Sequence, residues 1–433
     1  MDFFQERNGT LYAEDVACTD IAEQFGTPTY VYSAQTIRRH VRVLKEGLSS
    51  IDHRICYAVK ACGNLAILDL LAQEGIDFDA VSVGELARCL KIGVKSEQLI
   101  MSGVGKRDDE IAAALHNDVL YISAESQEEV EAIARVAHNL SLQARVSIRV
   151  NPDVDAKTHP YIATGLKKNK FGVPIEAALS IYEAFQNHPS IAFVGVTCHI
   201  GSQITTLEPF KDAARRMRTL AEKLIASGIP LRFVGLGGGL GVPYMGESPP
   251  SPKIYGEALA EILGSLNLTL VVEPGRVIVG NGGILLSRLV RLKAGQERQF
   301  AVLDAGMNDL MRPALYDAAH QAVAVTPRQG STKLVDVVGP VCETGDTFAK
   351  DVSLPPLQEG DLLALRTAGA YGFVMTSTYN GRPRPAEVMV DHDEVRCIRE
   401  RESLSDLWRG EKRWNGDSFD TSLPAGLSDF DFS

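Results

Sequence analysis

The chain has 433 residues, 45% hydrophobic and 23% charged, which is the balance of a soluble globular protein with ample apolar mass for a large core. Its formal net charge of −11 argues against nucleic acid or an anionic membrane as partner, and no apolar stretch reaches the roughly 20 residues that span a bilayer. Cys18, Cys56, Cys62, Cys89, Cys198, Cys342 and Cys397 are scattered without zinc-site spacing, and Met1-Asp2-Phe3-Phe4-Gln5-Glu6-Arg7 is no signal peptide, so a cytoplasmic protein with reduced thiols and no metal is expected.

In chain order, residues 1–30 carry a strand-like piece at Leu11-Tyr12 and a helical one at Val16–Phe25. Eight short apolar runs follow: Ile55–Val59, Phe78–Val81, Leu99–Ser102, Val119–Ile122, Val146–Val150, Phe193–Cys198, Phe233–Leu236 and Leu270–Val272. Stretches with helical spacing separate them, such as Ala66–Glu74, Gly84–Ile92, Gln127–His138 and Pro209–Ser227. This alternation predicts an α/β architecture, a (β/α)8 TIM-like barrel over residues 31–276, whose active site lies at the carboxyl ends of its strands. A Lys-, Gly- and Thr-rich insertion, Asp153–Val173, interrupts the fifth unit. From Val277 the rhythm changes to strand-like runs with little helix: Ile284–Val290, Phe300–Leu303, Leu334–Val338, Leu362–Leu365 and Ala386–Val390. They predict a C-terminal β-rich domain, Greek-key or sandwich-like, over 277–396, joined by the N-terminal segment. Residues 397–433 read as a charged, partly disordered tail.

Several apolar runs end on residues fit for chemistry. Lys60 closes the first, where desolvation would favour the neutral amine needed for covalent chemistry with a carbonyl; a snorkelling surface lysine is the plain alternative. Gly237-Gly238-Gly239-Leu240-Gly241 follows the seventh run and would let backbone N–H groups close on a phosphate. Glu273-Pro274-Gly275-Arg276 closes the eighth with a tight turn, and these two loops are where TIM barrels often bind phosphate. A carboxylate such as Glu273 facing a pyridine nitrogen would keep that ring protonated, and His199 could stack on it. Taken singly, the acid suits a structural salt bridge and the histidine a satisfied strand end. Beyond the barrel, Gly339-Pro340-Val341-Cys342-Glu343-Thr344-Gly345-Asp346 sets a thiol beside an acid, and Arg312 could clamp a carboxylate with both guanidinium arms.

Together these segments resemble the fold-type III pyridoxal-phosphate decarboxylases, nearest to members acting on meso-2,6-diaminopimelate. The resemblance spans about residues 10–392 and rests on Tyr57-Ala58-Val59-Lys60-Ala61, His199-Ile200-Gly201-Ser202-Gln203, the glycine turn and Glu273–Arg276. It continues through Asp304-Ala305-Gly306-Met307-Asn308-Asp309-Leu310-Met311-Arg312-Pro313, Gly339–Glu343 and Gly369-Ala370-Tyr371-Gly372. It implies a carboxy-lyase of lysine biosynthesis that uses pyridoxal 5'-phosphate to form L-lysine and CO2. Lys60 would hold the cofactor covalently, His199 would stack on its ring and Glu273 would face the ring nitrogen. Gly237, Gly238, Gly239, Gly275, Arg276 and Tyr371 would bind its phosphate. Substrate would meet Arg276, Arg312, Tyr316, Glu343 and Tyr371, and Cys342 would supply a proton. The family's cysteine–glutamate loop serves the partner's barrel, which implies a homodimer with shared sites. Cys62 and Val83 depart from the residues many members carry there. A relative acting on D-ornithine or D-lysine is the nearest alternative. A racemase-like activity would need a second base in place of the cysteine loop, and a non-catalytic relative should have lost Lys60, Cys342 or the glycines.

Overall fold

The computed structural model describes residues 2–155, 170–295, 298–419, 422–423 and 427, so most of the predicted insertion and the end of the tail lie outside it. The chain forms two units: Arg38–Pro243 with Glu247–Ile278, and residues up to Ile37 with Tyr244–Gly246 and everything from Val279 onward.

In the first unit every predicted apolar run is a strand: His53–Ala58, Asp77–Ala80, Leu99–Met101, Tyr121–Ala124, Ala144–Asn151, Ile191–Cys198, Phe233–Gly237 and Thr269–Val272. They pair in parallel, and the ring closes where Leu270 and Val271 sit opposite His53 and Arg54. This is the TIM-like barrel. The first run stops at Ala58 because Val59-Lys60-Ala61 turn into a short 3-10 helix. Local chemistry starts the intervening helices. Ser82 accepts from the Glu85 N–H while Glu85 reaches back to the Val81 N–H, and Ser126, Glu129 and Glu125 repeat the arrangement two strands later. Inside the ring Cys56, Ile100, Tyr121, Phe233 and Val271 pack together, each large side chain contributing about 1.5–3 kcal/mol of burial. The register slips between Gly235 and Gly237 against the eighth strand, a bulge that re-aims the chain just before the glycine turn.

The second unit is β-rich. Its sheet runs Thr347–Leu354, Lys333–Val338, Gln299–Leu303, Gly283–Ala294, Thr29–Ser33, Ala386–Asp391, Glu394–Arg399, with Leu362–Leu365 joining at the long strand Gly283–Ala294 and Ala322–Ala324 pairing onto Leu362–Leu365. Thr29–Ser33 sits mid-sheet, antiparallel to Gly283–Ala294 and parallel to Ala386–Asp391. Helix Cys18–Phe25 and strand Thr10–Ala13 cover one face, burying Leu11, Ile21 and Ala22 against Val31, Leu286, Ala364 and Val388. Regular structure continues past Cys397: that residue lies inside Glu394–Arg399, and Glu402 pairs with Arg384 beyond it. Among the described residues no helix is long and apolar enough to cross a membrane.

Candidate active site

The first unit gathers charged and polar groups at the carboxyl ends of its strands. Lys60 follows the first strand, Asp79 lies in the second, Glu125 follows the fourth, Arg149 lies in the fifth, His199 follows the sixth and Glu273 the eighth. The Lys60 Nζ stands 3.5 Å from Oδ2 of the fully buried Asp79, and its own side chain is 42% exposed. The amine is therefore ion-paired and open to the mouth rather than desolvated. The other Asp79 oxygen, Oδ1, is buried with no hydrogen-bond partner.

Glu273 experiences both acids and bases. Burial and the Asp79 carboxylate push its carboxyl up to about 8, while Lys60 and Arg149 pull it down and Glu125 adds a smaller upward push. This acid-rich cluster favours a cation that could approach Glu273. Arg149 donates to Glu125 at 2.8 Å and stacks over the Phe171 ring, and the second Glu125 oxygen takes the Gly172 N–H.

His199 is fixed by the glycine turn. Its Nδ1 accepts the Gly238 N–H at 3.1 Å, which places the neutral ring's proton on Nε2. Burial, then Arg149 and Lys60, drive its pKa well below 6.5, so the imidazole stays uncharged.

The turn itself tolerates no side chains. Gly237 has φ +66°, and a Cβ there would sit 2.6 Å from His199 Nδ1. A Cβ on Gly238 would lie 2.3 Å from the Glu273 carbonyl oxygen, and on Gly239 (φ +109°) 2.5 Å from the Gly201 oxygen. The Glu273 N–H donates to Gly237 O and the Ala58 N–H to Pro274 O, locking the seventh, eighth and first strand ends together. Gly275 is buried, and the 6%-exposed Arg276 beside it donates to the Ser202 hydroxyl at 3.1 Å. Lys60, His199, Gly237–Gly239, Glu273, Gly275 and Arg276 thus share one barrel mouth.

The remaining predicted residues lie in the β-rich unit. Arg312 and Tyr316 begin and end one short helix, Arg312 buried and Tyr316 half-buried. Cys342 and Glu343 are exposed; the Cys342 N–H donates to Asn380 Oδ1 at 3.3 Å, and Glu343 accepts the Tyr379 hydroxyl at 2.9 Å. Asp346 ties this loop down by taking the Val341 and Met307 N–H groups, both at 2.6 Å. Tyr371 is partly exposed, with φ +55°. Of the two departures, Cys62 is buried and Val83 is 39% exposed at the start of its helix.

Sequence reasoning missed Asp79, Arg149 and Glu125. The available signal was charge inside or just past an apolar strand (Phe78-Asp79-Ala80, Ile148-Arg149-Val150, Ala124-Glu125), where an ionised group is costly unless paired.

Residues 34–280 match the family described as "Pyridoxal-dependent decarboxylase, pyridoxal binding domain". The chain is 50% identical over 411 residues to the diaminopimelate decarboxylase of Pseudomonas aeruginosa, covering 95% of this chain and 99% of that one. To the Vibrio cholerae diaminopimelate decarboxylase it is 48% identical over 410 residues, 94% and 98% of the two chains. The solved diaminopimelate decarboxylase from Helicobacter pylori, complexed with L-lysine, superposes with a TM-score of 0.88 at 43% identity, over 90% of this chain and 98% of that one.

Proposed function

The chain belongs to the diaminopimelate decarboxylase family of pyridoxal-dependent decarboxylases, and we propose that it converts meso-2,6-diaminopimelate to L-lysine and CO2 in the cytoplasm. The observation that carries this reading is the barrel mouth, where Lys60, uncharged His199 and acidic Glu273 converge on a glycine turn packed too tightly for any side chain.

These residues fit pyridoxal phosphate. Lys60 is the amine for its carbonyl. The glycine turn, Gly275 and Arg276 suit a phosphate, with Tyr371 assisting, and neutral His199 suits the face of a flat ring. Glu273 offers a carboxyl oxygen to a ring N–H, and a cationic ring would relieve the crowding of Glu273 by Asp79. When bound, the cofactor supplies an electron sink for the pair released as the bond to the departing carboxylate breaks.

The chain's own residues do the rest. Arg312, Tyr316, Glu343 and Tyr371 orient the substrate so that one carboxylate leaves: Arg312 takes the distal carboxylate and Glu343 the distal ammonium. Arg276 contributes to the same recognition. Asp79, 3.5 Å from the Lys60 amine, would keep negative charge beside the group that holds the cofactor. The Cys342 thiol gives its proton to the carbon that lost CO2, which yields the C–H bond of lysine. The exposed Cys342–Glu343 loop belongs, in this reading, to the partner's barrel in a homodimer with shared sites.

The test is CO2 release from meso-diaminopimelate with pyridoxal phosphate, wild type against Cys342→Ala, with D-ornithine and D-lysine as competing substrates. Efficient formation of L-lysine, strongly reduced in the variant, is expected. A protein that binds the cofactor yet turns over only D-ornithine or D-lysine would refute the substrate.

A further inference from the structure

The clamp assigned to Arg312 has a support that the reaction itself does not require. Arg312 is 5% exposed and His320 1%. His320 Nδ1 lies 2.9 Å from the Arg366 carbonyl oxygen, which can only accept, so Nδ1 carries a proton. Arg312 Nη1 stands 2.8 Å from His320 Nε2. A guanidinium can only donate, so Nε2 must present its lone pair and the ring must be neutral. The Tyr244 ring completes the arrangement. Arg312 Cζ lies 4.8 Å from its centroid, and the tyrosine and His320 rings meet edge to face at 5.3 Å and 85°.

Two consequences follow from this geometry. The hydrogen bond fixes one guanidinium nitrogen and the aromatic ring restrains the guanidinium carbon, so the two contacts together limit where the fork points. Both partners are also neutral, so neither cancels the charge that a carboxylate would meet. An acid in the place of His320 would orient the arginine equally well and weaken it as an anion clamp.

We propose that His320, backed by Tyr244, is a positioning residue that sets Arg312 for a substrate's distal carboxylate and so contributes to specificity for diamino acids bearing a second carboxylate over simple diamines. The proposal rests on the function given above. L-lysine retains the carboxylate that Arg312 would hold, and cadaverine is the same chain without it. The pair therefore separates orientation of the clamp from general integrity of the site.

The experiment is calorimetric titration of the pyridoxal-phosphate-loaded enzyme with L-lysine and with cadaverine, for wild type, His320→Leu and His320→Gln. The Leu variant should bind L-lysine about tenfold more weakly, as expected for loss of a hydrogen bond to a charged group, and cadaverine within about twofold of wild type. The Gln variant, which keeps an acceptor, should recover most of the loss. Parallel weakening of both ligands, or unchanged L-lysine affinity, would overturn the positioning role. If His320→Leu does not fold, Tyr244→Leu decides by the same criterion: selective loss of L-lysine supports the role, and parallel or no loss refutes it. A wild type that does not prefer L-lysine over cadaverine would instead sink the substrate reading on which the proposal stands.

Discussion

Substitution Gly238→Ala tests how the glycine turn is coupled to Glu273. Gly238 lies outside the left-handed region, so the added methyl carries no backbone strain and its cost is steric alone. That methyl would sit 2.3 Å from the Glu273 carbonyl oxygen, which is backbone and cannot rotate away. Reaching ordinary contact needs a separation of about 1 Å. Such a shift would break the 2.9 Å hydrogen bond from the Glu273 N–H to Gly237 O, the link between the seventh and eighth strand ends. Overpacking and the lost bond together should cost roughly 2–4 kcal/mol, a fall in Tm of roughly 5–10 °C. Because the Glu273 carboxyl moves with its backbone, turnover should drop on the order of 100-fold. Gly264→Ala is the control: no atom lies within 4 Å of its Cβ position and its backbone is helical, so the change should be neutral or stabilise by about 0.4–1 kcal/mol. Differential scanning calorimetry and CO2 release check both. A Gly238→Ala enzyme with Tm and turnover close to wild type would refute the idea that the turn and Glu273 are packed as one piece.

The Arg149–Glu125 pair is nearly buried, at 15% and 2% side-chain exposure. Arg149→Met should therefore cost about 3–5 kcal/mol in urea denaturation by stranding the Glu125 charge, and adding Glu125→Gln should regain most of it; a single variant of wild-type stability would contradict this. His199, held well below 6.5 by burial and by Arg149 and Lys60, binds fewer protons folded than unfolded as pH falls through 6.5. Its contribution to stability is therefore present above that pH and lost below it, and His199→Gln should flatten the fall in urea midpoint between pH 7 and pH 5. Identical slopes in both proteins would show that the ring titrates normally.

The barrel was legible because its signals are local. A strand buried on both faces reads as a continuous apolar run, and Ser82–Glu85 and Ser126–Glu129 announce the helices that follow by satisfying backbone N–H groups within a few residues. The glycine turn and Glu273-Pro274-Gly275-Arg276 were visible for the same reason, since a turn's residues are neighbours in the chain. What pairs across the chain was not legible. Thr29–Ser33 lies between strands that begin at Gly283 and Ala386, and no periodicity around residue 30 says so. Asp79, Arg149 and Glu125 became part of the site only when separate strands set them beside Lys60, Glu273 and one another. The same holds for His320 and Tyr244 against Arg312. Residue type and spacing determined which groups were available and at which strand ends they would stand. Their charge, tautomer and orientation depend on sums over groups distant in sequence, and only the tertiary structure decides those sums.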